Sequence, residues 1–219
     1  MNIAAILPCR GRPEQTVANV KRLLATAGSS DWALTCIGGA DERETLMACG
    51  VAGARVRHVL DTPRLTYWQA LAYETRLQPN ATHLIGLAND LLPGMHWLKR
   101  AVDAYQGEFG SGAGLLGFNG DSHEVGHSCH FLIDADLLAH LGGWPVWYDH
   151  NFGDTELCQR AIALDAYAKA PWALLFHDHP YFGGADDAVY AEGRARAIED
   201  QRLYEHRRKM GWPDGMDRG

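Results

Sequence analysis

The sequence predicts a single α/β domain with a mostly parallel central sheet and helices on both of its faces. Short apolar runs alternate with helical patterns through the first half of the 219 residues, which is typical of a parallel sheet. Hydrophobic residues make up 47% of the chain, so a sizeable core can form. The second half is less regular. One domain over 1–219 with an elaborated second half therefore fits the pattern better than two independent domains.

Four strands are predicted in the first half of the chain, and a helix follows each of them. Each apolar run is short and ends at proline, glycine or a polar turn, as buried strands do. Pro13 begins the first helix, since proline is favoured in a first helical turn. The predicted strands are 2–7, 32–37, 56–60 and 84–88, and the helices begin at 13, 41, 66 and 97.

The second half is predicted to contain three further strands and three further helices. A glycine-rich stretch, 107–114, is the linker-like segment between the halves 1–106 and 107–219. The last helix is long and charged. The predicted strands are 113–118, 127–133 and 173–176, and the helices are 134–141, 155–164 and 188–210.

Composition and charge argue against several classes of protein. The net charge is -7 with no basic block, so composition does not indicate a nucleic-acid or anionic-membrane partner. The five cysteines are an odd number without a CxxC pair, which indicates reduced thiols and a cytoplasmic location. The first residues lack the pattern of a signal peptide, and no apolar run approaches the length of a membrane span.

Polar residues follow the end of the first predicted strand. The backbone N–H groups and two arginines of this loop could hold a nucleotide. The alternative is a plain turn with exposed arginines, since the loop is neither a Walker loop nor GxGxxG. The candidate residues are Pro8, Cys9, Arg10 and Arg12.

Acidic residues follow the second and fourth predicted strands. Asp41 could accept a hydrogen bond from a base or a ribose, or it could cap the helix that follows. Asn89 and Asp90 could be ordinary turn residues before Pro93. They also lie at the carboxyl edge of a parallel sheet, where open α/β proteins bind ligands.

Two groups of histidines occur in the second half. His177 and His179 are two apart after a strand, so they point the same way and could bind a divalent metal near a carboxylate. The alternative is a pair of surface histidines. In a strand, His127 and Cys129 would face one side and His130 the other, so the three would not converge on one ion. We expect them to be structural, with one histidine at most lining the cleft.

The stretch 142–161, GGWPVWYDHNFGDTELCQRA, combines aromatic residues with acids at a helix start. Acids are favoured in a first helical turn by the helix dipole, which explains Asp154 and Glu156 without any function. Trp144 and Trp147 beside a carboxylate also describe an acceptor site with a general base.

Three segments in this order resemble the inverting family 2 type of nucleotide-sugar glycosyltransferase, which has the GT-A fold. They are ILPCRGRPEQTVANVKRLL, LANDLLPGMHWL and the stretch 142–161, and together they span roughly residues 3–161. The resemblance implies a Rossmann-like GT-A domain that moves a sugar, with inversion, from a nucleoside diphosphate sugar to a hydroxyl group. It also implies a UDP-sugar as the first choice of donor and a divalent metal, Mn²⁺ or Mg²⁺.

The resemblance also assigns roles to residues. The donor-binding residues are Pro8, Cys9, Arg10, Arg12, Asp41 and Asn89, in a nucleotide-sugar-binding half 1–106. The metal ligands are Asp90 with His177 or His179. Asp154 is the catalytic base, and Trp144, Trp147 and Glu156 contact the acceptor, in an acceptor-binding half 107–219. Ala88 and Gly153 stand where the family has acids, which are absent here.

Two other functions remain open from the sequence. One is a metal-dependent hydrolase that uses Asp90, His177 and His179. The other is an inactive domain that only binds a nucleotide sugar, which the missing acids favour. For a transferase, we expect a soluble saccharide, a protein or a modified nucleobase as acceptor. The acidic balance weighs against duplex DNA, because its binding depends on phosphate neutralisation. The oligomeric state is left open.

Overall fold

The computed structural model describes residues 1–29, 31–59, 64–120 and 126–213. Its strands are β1 Ile3–Pro8, β2 Trp32–Gly38, β3 Arg55–His58, β4 His83–Gly86, β5 Leu91–Pro93, β6 Leu115–Asn119, β7 Phe131–Asp134 and β8 Tyr167–His177. Its helices are α1 Pro13–Thr26, α2 Arg43–Val51, α3 Tyr67–Thr75, α4 Trp97–Phe109, α5 Ala135–His140, α6 Gly153–Ala163 and α7 Ala188–Lys209. Two 3₁₀ turns, Ala40–Glu42 and Pro180–Phe182, complete the described elements.

The strands form one sheet in the order β3-β2-β1-β4-β7-β6-β8-β5. The first four of these strands are parallel, with Ile3 of β1 opposite Trp32 on one side and His83 on the other. Strand β7 runs antiparallel to both of its neighbours, and β6 and β8 are parallel. The predicted class, α/β with a mostly parallel sheet, is confirmed.

Helices cover both faces of the sheet, because alternate residues of its central strands are apolar on both sides. In β1, Ile3, Ala5 and Leu7 belong to one buried core, whereas Ala4 and Ile6 belong to the other. The first core also contains side chains of α1, α2 and α4. The second contains side chains of α3, α5 and α6. The carboxyl edge of the sheet lies between the two layers of helices and therefore remains available for a site.

Strand β5 was not predicted, and it decides where Asn89 and Asp90, the polar residues after β4, lie. The predicted strand 84–88 ends at Gly86, and three residues after Asn89 and Asp90 form a new edge strand. Leu91 is paired with His177 in the antiparallel β5–β8 ladder. The backbone N–H of Asp178 also donates to the Asp90 carbonyl at 2.8 Å. This pairing brings the loop after β4 beside the end of β8.

The segment 126–130 is not a strand, although the sequence predicted one over 127–133. Ser128 is fully buried, and its hydroxyl donates to the Phe118 carbonyl at 3.1 Å. Because the backbone is not extended, the side chains of this segment do not alternate between opposite faces.

The C-terminal helix α7 packs back onto the domain through buried charged groups. Asp200 is buried and accepts hydrogen bonds from the backbone N–H groups of residues 149–151. Arg207 is fully buried and donates to both carboxylate oxygens of Glu156, at 2.8 and 2.9 Å. The N-terminal cap of α7, Asp187, accepts hydrogen bonds from the N–H groups of Val189 and Tyr190. No helix in the described ranges has the length and apolarity that crossing a membrane requires.

Candidate functional site

A cleft of about 700 Å³ opens at the carboxyl edge of the parallel strands. This volume is within the range of pockets that hold small molecules. The residues predicted to bind donor or metal, and the predicted base, all line it. They are Pro8, Cys9, Arg10, Arg12, Asp41, Asn89, Asp90, Asp154, His177 and His179.

Arg12 lies at the centre of the loop between β1 and α1. It is only 8% exposed, and its guanidinium donates to Asp90 Oδ2 at 3.1 Å and Asn89 Oδ1 at 3.2 Å. The same guanidinium donates twice to Asp187 and stacks 3.9 Å from the centre of the Tyr190 ring. Arg12 lines the cleft, and a guanidinium is a group suited to recognising phosphate oxygens.

Two polar residues fix the shape of this loop. Asn89 Nδ2 donates to the Arg10 carbonyl and to Thr16 Oγ1, at 3.2 and 3.1 Å. Glu42 is buried and accepts from the N–H of Gly11, which has a positive φ of 62°. The sequence did not single out Glu42.

Asp41 lies at the rim of the cleft in the turn Ala40–Glu42, and its side chain is 56% exposed. It makes a long ion pair of 3.8 Å with Arg64. Helix α2 has no side-chain cap, so the alternative role of Asp41 as a cap is not observed.

Asp90 is an ionised carboxylate in a nearly closed environment, 4% exposed. Tyr190 Oη donates to Oδ2 at 2.6 Å, and His177 Nε2 lies 3.2 Å from Oδ1. Burial favours the neutral acid. The contact with His177, the hydrogen bond from Tyr190 and the charge of Arg12 outweigh burial and hold the pKa of Asp90 below its usual range.

The pair Asp90 and His177 fits a divalent ion. Adjacent ligand atoms on an octahedral ion with bonds of about 2.1–2.2 Å are roughly 3 Å apart, close to the 3.2 Å between Oδ1 and Nε2. Two protein ligands suit Mg²⁺ or Mn²⁺, which complete their shells with water and substrate phosphate.

His179 has a different environment from His177. Its Nδ1 accepts from the Tyr181 N–H at 3.1 Å, and its ring packs edge-on against Tyr190. Among the described residues, the side chains of Asp90, His177 and His179 do not form one group of mutually close ligand atoms. The structure therefore brings Asp90 together with His177 rather than with both histidines.

Asp154 lies in the first turn of α6 and faces the cleft, with its side chain 20% exposed. Oδ1 accepts from the Thr155 N–H at 2.8 Å, and Oδ2 is 3.4 Å from His127 Nε2. Burial works against ionisation, but the contact with His127 and the hydrogen bond from Thr155 lower the pKa of Asp154. An ionised carboxylate is thus available at a second position in the cleft.

The three residues predicted to contact an acceptor are not in the cleft, and this prediction is wrong. Trp144 is 4% exposed and donates to Thr75 Oγ1, whereas Trp147 is 8% exposed and donates to Glu156 Oε2. Glu156 is fully buried by Arg207 and by its neighbours in the second core. The loop that carries Trp144 and Trp147 packs into the core because burying its apolar area away from water stabilises the fold.

Several residues that line this cleft were given no functional role by the sequence patterns. Tyr190 and Val189 reach it from α7, and His127, Cys129 and His130 reach it from the loop before β7. The charged pattern of α7 contains no signal for a cleft-facing tyrosine. The segment 126–130 carried a signal in its histidines and cysteine, which the assumption of a strand concealed.

No family model matches the sequence, and no curated protein matches it. Solved structures do match the fold. Glucosyl-3-phosphoglycerate synthase from Mycobacterium tuberculosis, in complex with Mn²⁺, UDP-glucose and phosphoglyceric acid, is 16% identical with a TM-score of 0.62. The match covers 98% of this chain and 81% of that one.

S. aureus TarS also has a TM-score of 0.62, at 10% identity. The match covers 81% of this chain but only 36% of the TarS chain. A mycobacterial protein is 15% identical with a TM-score of 0.56, over 80% of this chain and 67% of that chain. At these identities the comparisons show a shared, GT-A-like fold.

Proposed function

We propose that this protein is a glycosyltransferase that moves a sugar from a nucleoside diphosphate sugar, a UDP-sugar in the first place, to a hydroxyl group with inversion. The observation that carries the proposal is that one cleft holds an arginine loop, a pair of metal ligands and a separate ionised carboxylate. The solved complex of a similarly folded enzyme with Mn²⁺ and UDP-glucose supports the choice of donor.

The donor diphosphate would lie against Arg12 and the end of β8. A divalent ion, Mn²⁺ or Mg²⁺, held by Asp90 and His177 supplies charge neutralisation to the leaving diphosphate. Arg12 adds a fixed positive charge, and Asp41 at the rim is placed to meet the ribose or base. Thus 1–106 supplies most donor contacts, although His177 comes from the second half.

Asp154 is the proposed general base, which accepts the acceptor's proton as its hydroxyl attacks. Inversion requires attack from the side of the sugar opposite the diphosphate, so the base must be distinct from the metal ligands. His130 also lines the cleft, and burial, together with the charge of His177, lowers its pKa to about 4.

The hydrolase alternative has less support, because Asp90, His177 and His179 do not form one ligand group within the described part of the chain. The inactive binding domain remains the competing function, since Ala88 and Gly153 lack carboxylates. A soluble saccharide, protein or modified nucleobase is the proposed acceptor. All five cysteines are thiols, which supports a cytoplasmic location.

The test is thermal stabilisation by UDP with and without Mn²⁺, followed by hydrolysis of a panel of UDP-sugars. We expect Mn²⁺ to increase the stabilisation by UDP, because a ligand bound to the folded state raises its stability. Asp90→Asn should keep the fold and lose the additional stabilisation by UDP that Mn²⁺ provides. Asp103→Asn on the exposed face of α4 is the matched control and should behave as wild type. Absence of binding by any nucleoside diphosphate with metal present would contradict the proposal.

A further inference from the structure

We propose that His127, Cys129 and Asp154 form a second metal site, selective for Zn²⁺, on the acceptor side of the cleft. One ligand atom from each of the three residues lies within 4.8 Å of the other two. All three residues line the cleft and are partly exposed, so an ion can reach them from solvent.

The separations are close to those in a zinc site. Tetrahedral Zn²⁺, with bonds of about 2.0–2.3 Å, places its ligand atoms roughly 3.3–3.6 Å apart. His127 Nε2 and Asp154 Oδ2 are 3.4 Å apart. Cys129 Sγ lies within 4.8 Å of one ring nitrogen of His127 and one carboxylate oxygen of Asp154, so tetrahedral spacing requires a side-chain movement of roughly 1 Å.

The backbone around these ligands is fixed by buried contacts. Between His127 and Cys129, the buried Ser128 donates to the Phe118 carbonyl, and its own carbonyl accepts from Cys158 Sγ at 3.6 Å. Lys169 Nζ donates to the His127 carbonyl at 3.0 Å. Asp154 is held by the first turn of α6. Ligands on a fixed frame lose little conformational entropy when an ion binds.

The set of donor atoms distinguishes this site from the pair Asp90 and His177. The Cys129 thiolate suits Zn²⁺ rather than Mg²⁺ or Mn²⁺, and the pair Asp90 and His177 contains no thiolate. Three protein ligands leave a fourth position open to water. The two sites use no residue in common, so each can be filled without the other.

Occupation would have a direct consequence for catalysis, and this part rests on the proposed function. Zn²⁺ bound to Asp154 ties up the carboxylate that accepts the acceptor's proton. At Zn²⁺ concentrations that fill only the tight site, Zn²⁺ should therefore inhibit sugar transfer while leaving Mn²⁺-dependent UDP binding in place. The divalent ion held by Asp90 and His177 would continue to bind the donor diphosphate.

The experiment measures Zn²⁺ binding to the whole chain by competition with a chromogenic chelator, with Co²⁺ as a spectroscopic substitute. We expect one tight site whose Co²⁺ complex shows a thiolate charge-transfer band. Cys129→Ala should abolish the band, and both Cys129→Ala and His127→Ala should weaken binding by more than about tenfold, the least that even outer partners of a metal contribute. Thermal unfolding checks that each variant is folded.

Two control variants test two other groups of candidate ligands. Cys9, Cys36 and Cys49 form a buried group of thiols, and Cys49→Ala disrupts it. Asp90→Asn disrupts the other metal pair. Both controls should retain the tight site and the band. Loss of the site in either control, or its survival in Cys129→Ala and His127→Ala, would overturn the proposal.

The binding readout does not depend on activity. A Zn²⁺ site that follows Cys129 in a protein without transferase activity would support the site and count against the proposed function. Transferase activity without a Cys129-dependent Zn²⁺ site would support the function and overturn this inference.

Discussion

Asp154 and Glu156 are two residues apart in the first turn of α6, yet they have different environments. A rotation of about 100° per residue points their side chains roughly 200° apart. Asp154 faces the cleft, whereas Glu156 is fully buried and accepts from Arg207, Tyr148 and Arg160. The same turn therefore supplies one acid to the cleft and one to the core.

Glu156→Gln should destabilise the protein without altering the cleft. The substitution leaves Arg207 as a buried charge without its counterion, and breaking a buried pair in this way costs about 3–5 kcal/mol. Urea unfolding measures the difference. Asp103→Asn, which removes the exposed i,i+4 pair with Lys99, is the control and should cost about 0.5 kcal/mol or less. A loss below 1 kcal/mol for Glu156→Gln would show that the buried pair contributes little.

At the scale of elements, α7 is part of the site and not only a charged surface helix. Tyr190 donates to Asp90, and Asp187 pairs with Arg12. Farther along, Asp200 holds the backbone of residues 149–151, just before Asp154. Helix α7 thus holds both the loop between β1 and α1, which contains Arg12, and the start of α6.

Tyr190→Phe tests this role of α7. The ring keeps its contact with Arg12, but Asp90 loses the hydrogen bond of 2.6 Å from the hydroxyl. Loss of an outer partner of a metal ligand typically weakens metal binding by 10–100-fold, so we expect Mn²⁺ affinity to fall by about tenfold.

The measurement for Tyr190→Phe is a titration of free Mn²⁺ by electron paramagnetic resonance in the presence of UDP. Tyr181→Phe, at a neighbouring side chain that is 79% exposed, is the matched control. Equal Mn²⁺ affinity in wild type and Tyr190→Phe would show that α7 does not support the metal ligand.

Sequence patterns located the cleft because its residues follow strand ends. Apolar runs identify β1, β2 and β4, and the carboxyl edge of parallel strands is one place in space. The position of Glu156 was not predictable, since its partner Arg207 lies 51 residues later in the chain. Strand β5 has three residues and too little pattern to detect, although its pairing with β8 brings Asp90 beside His177.

At the scale of the whole molecule, the proposed function assigns two chemical tasks to one cleft. The loops after the parallel strands, together with β5 and the end of β8, bring Arg12 and the proposed metal ligands Asp90 and His177 to the proposed donor side. Helix α6 brings the Asp154 carboxylate to the proposed acceptor side. A protein that only binds a nucleotide sugar does not need a carboxylate on the acceptor side. The role of Asp154 therefore separates a transferase from an inactive binding domain.

The most direct measurement is the steady-state transfer rate of Asp154→Asn, together with its affinity for UDP in the presence of Mn²⁺. Loss of a general base typically costs 10²–10⁴-fold, so the rate should fall by about 10²-fold or more. Donor affinity should stay near that of wild type, because Asp154 does not touch the donor-side cluster of Arg12, Asp90 and His177. An Asp154→Asn enzyme that transfers sugar at the wild-type rate would contradict the account.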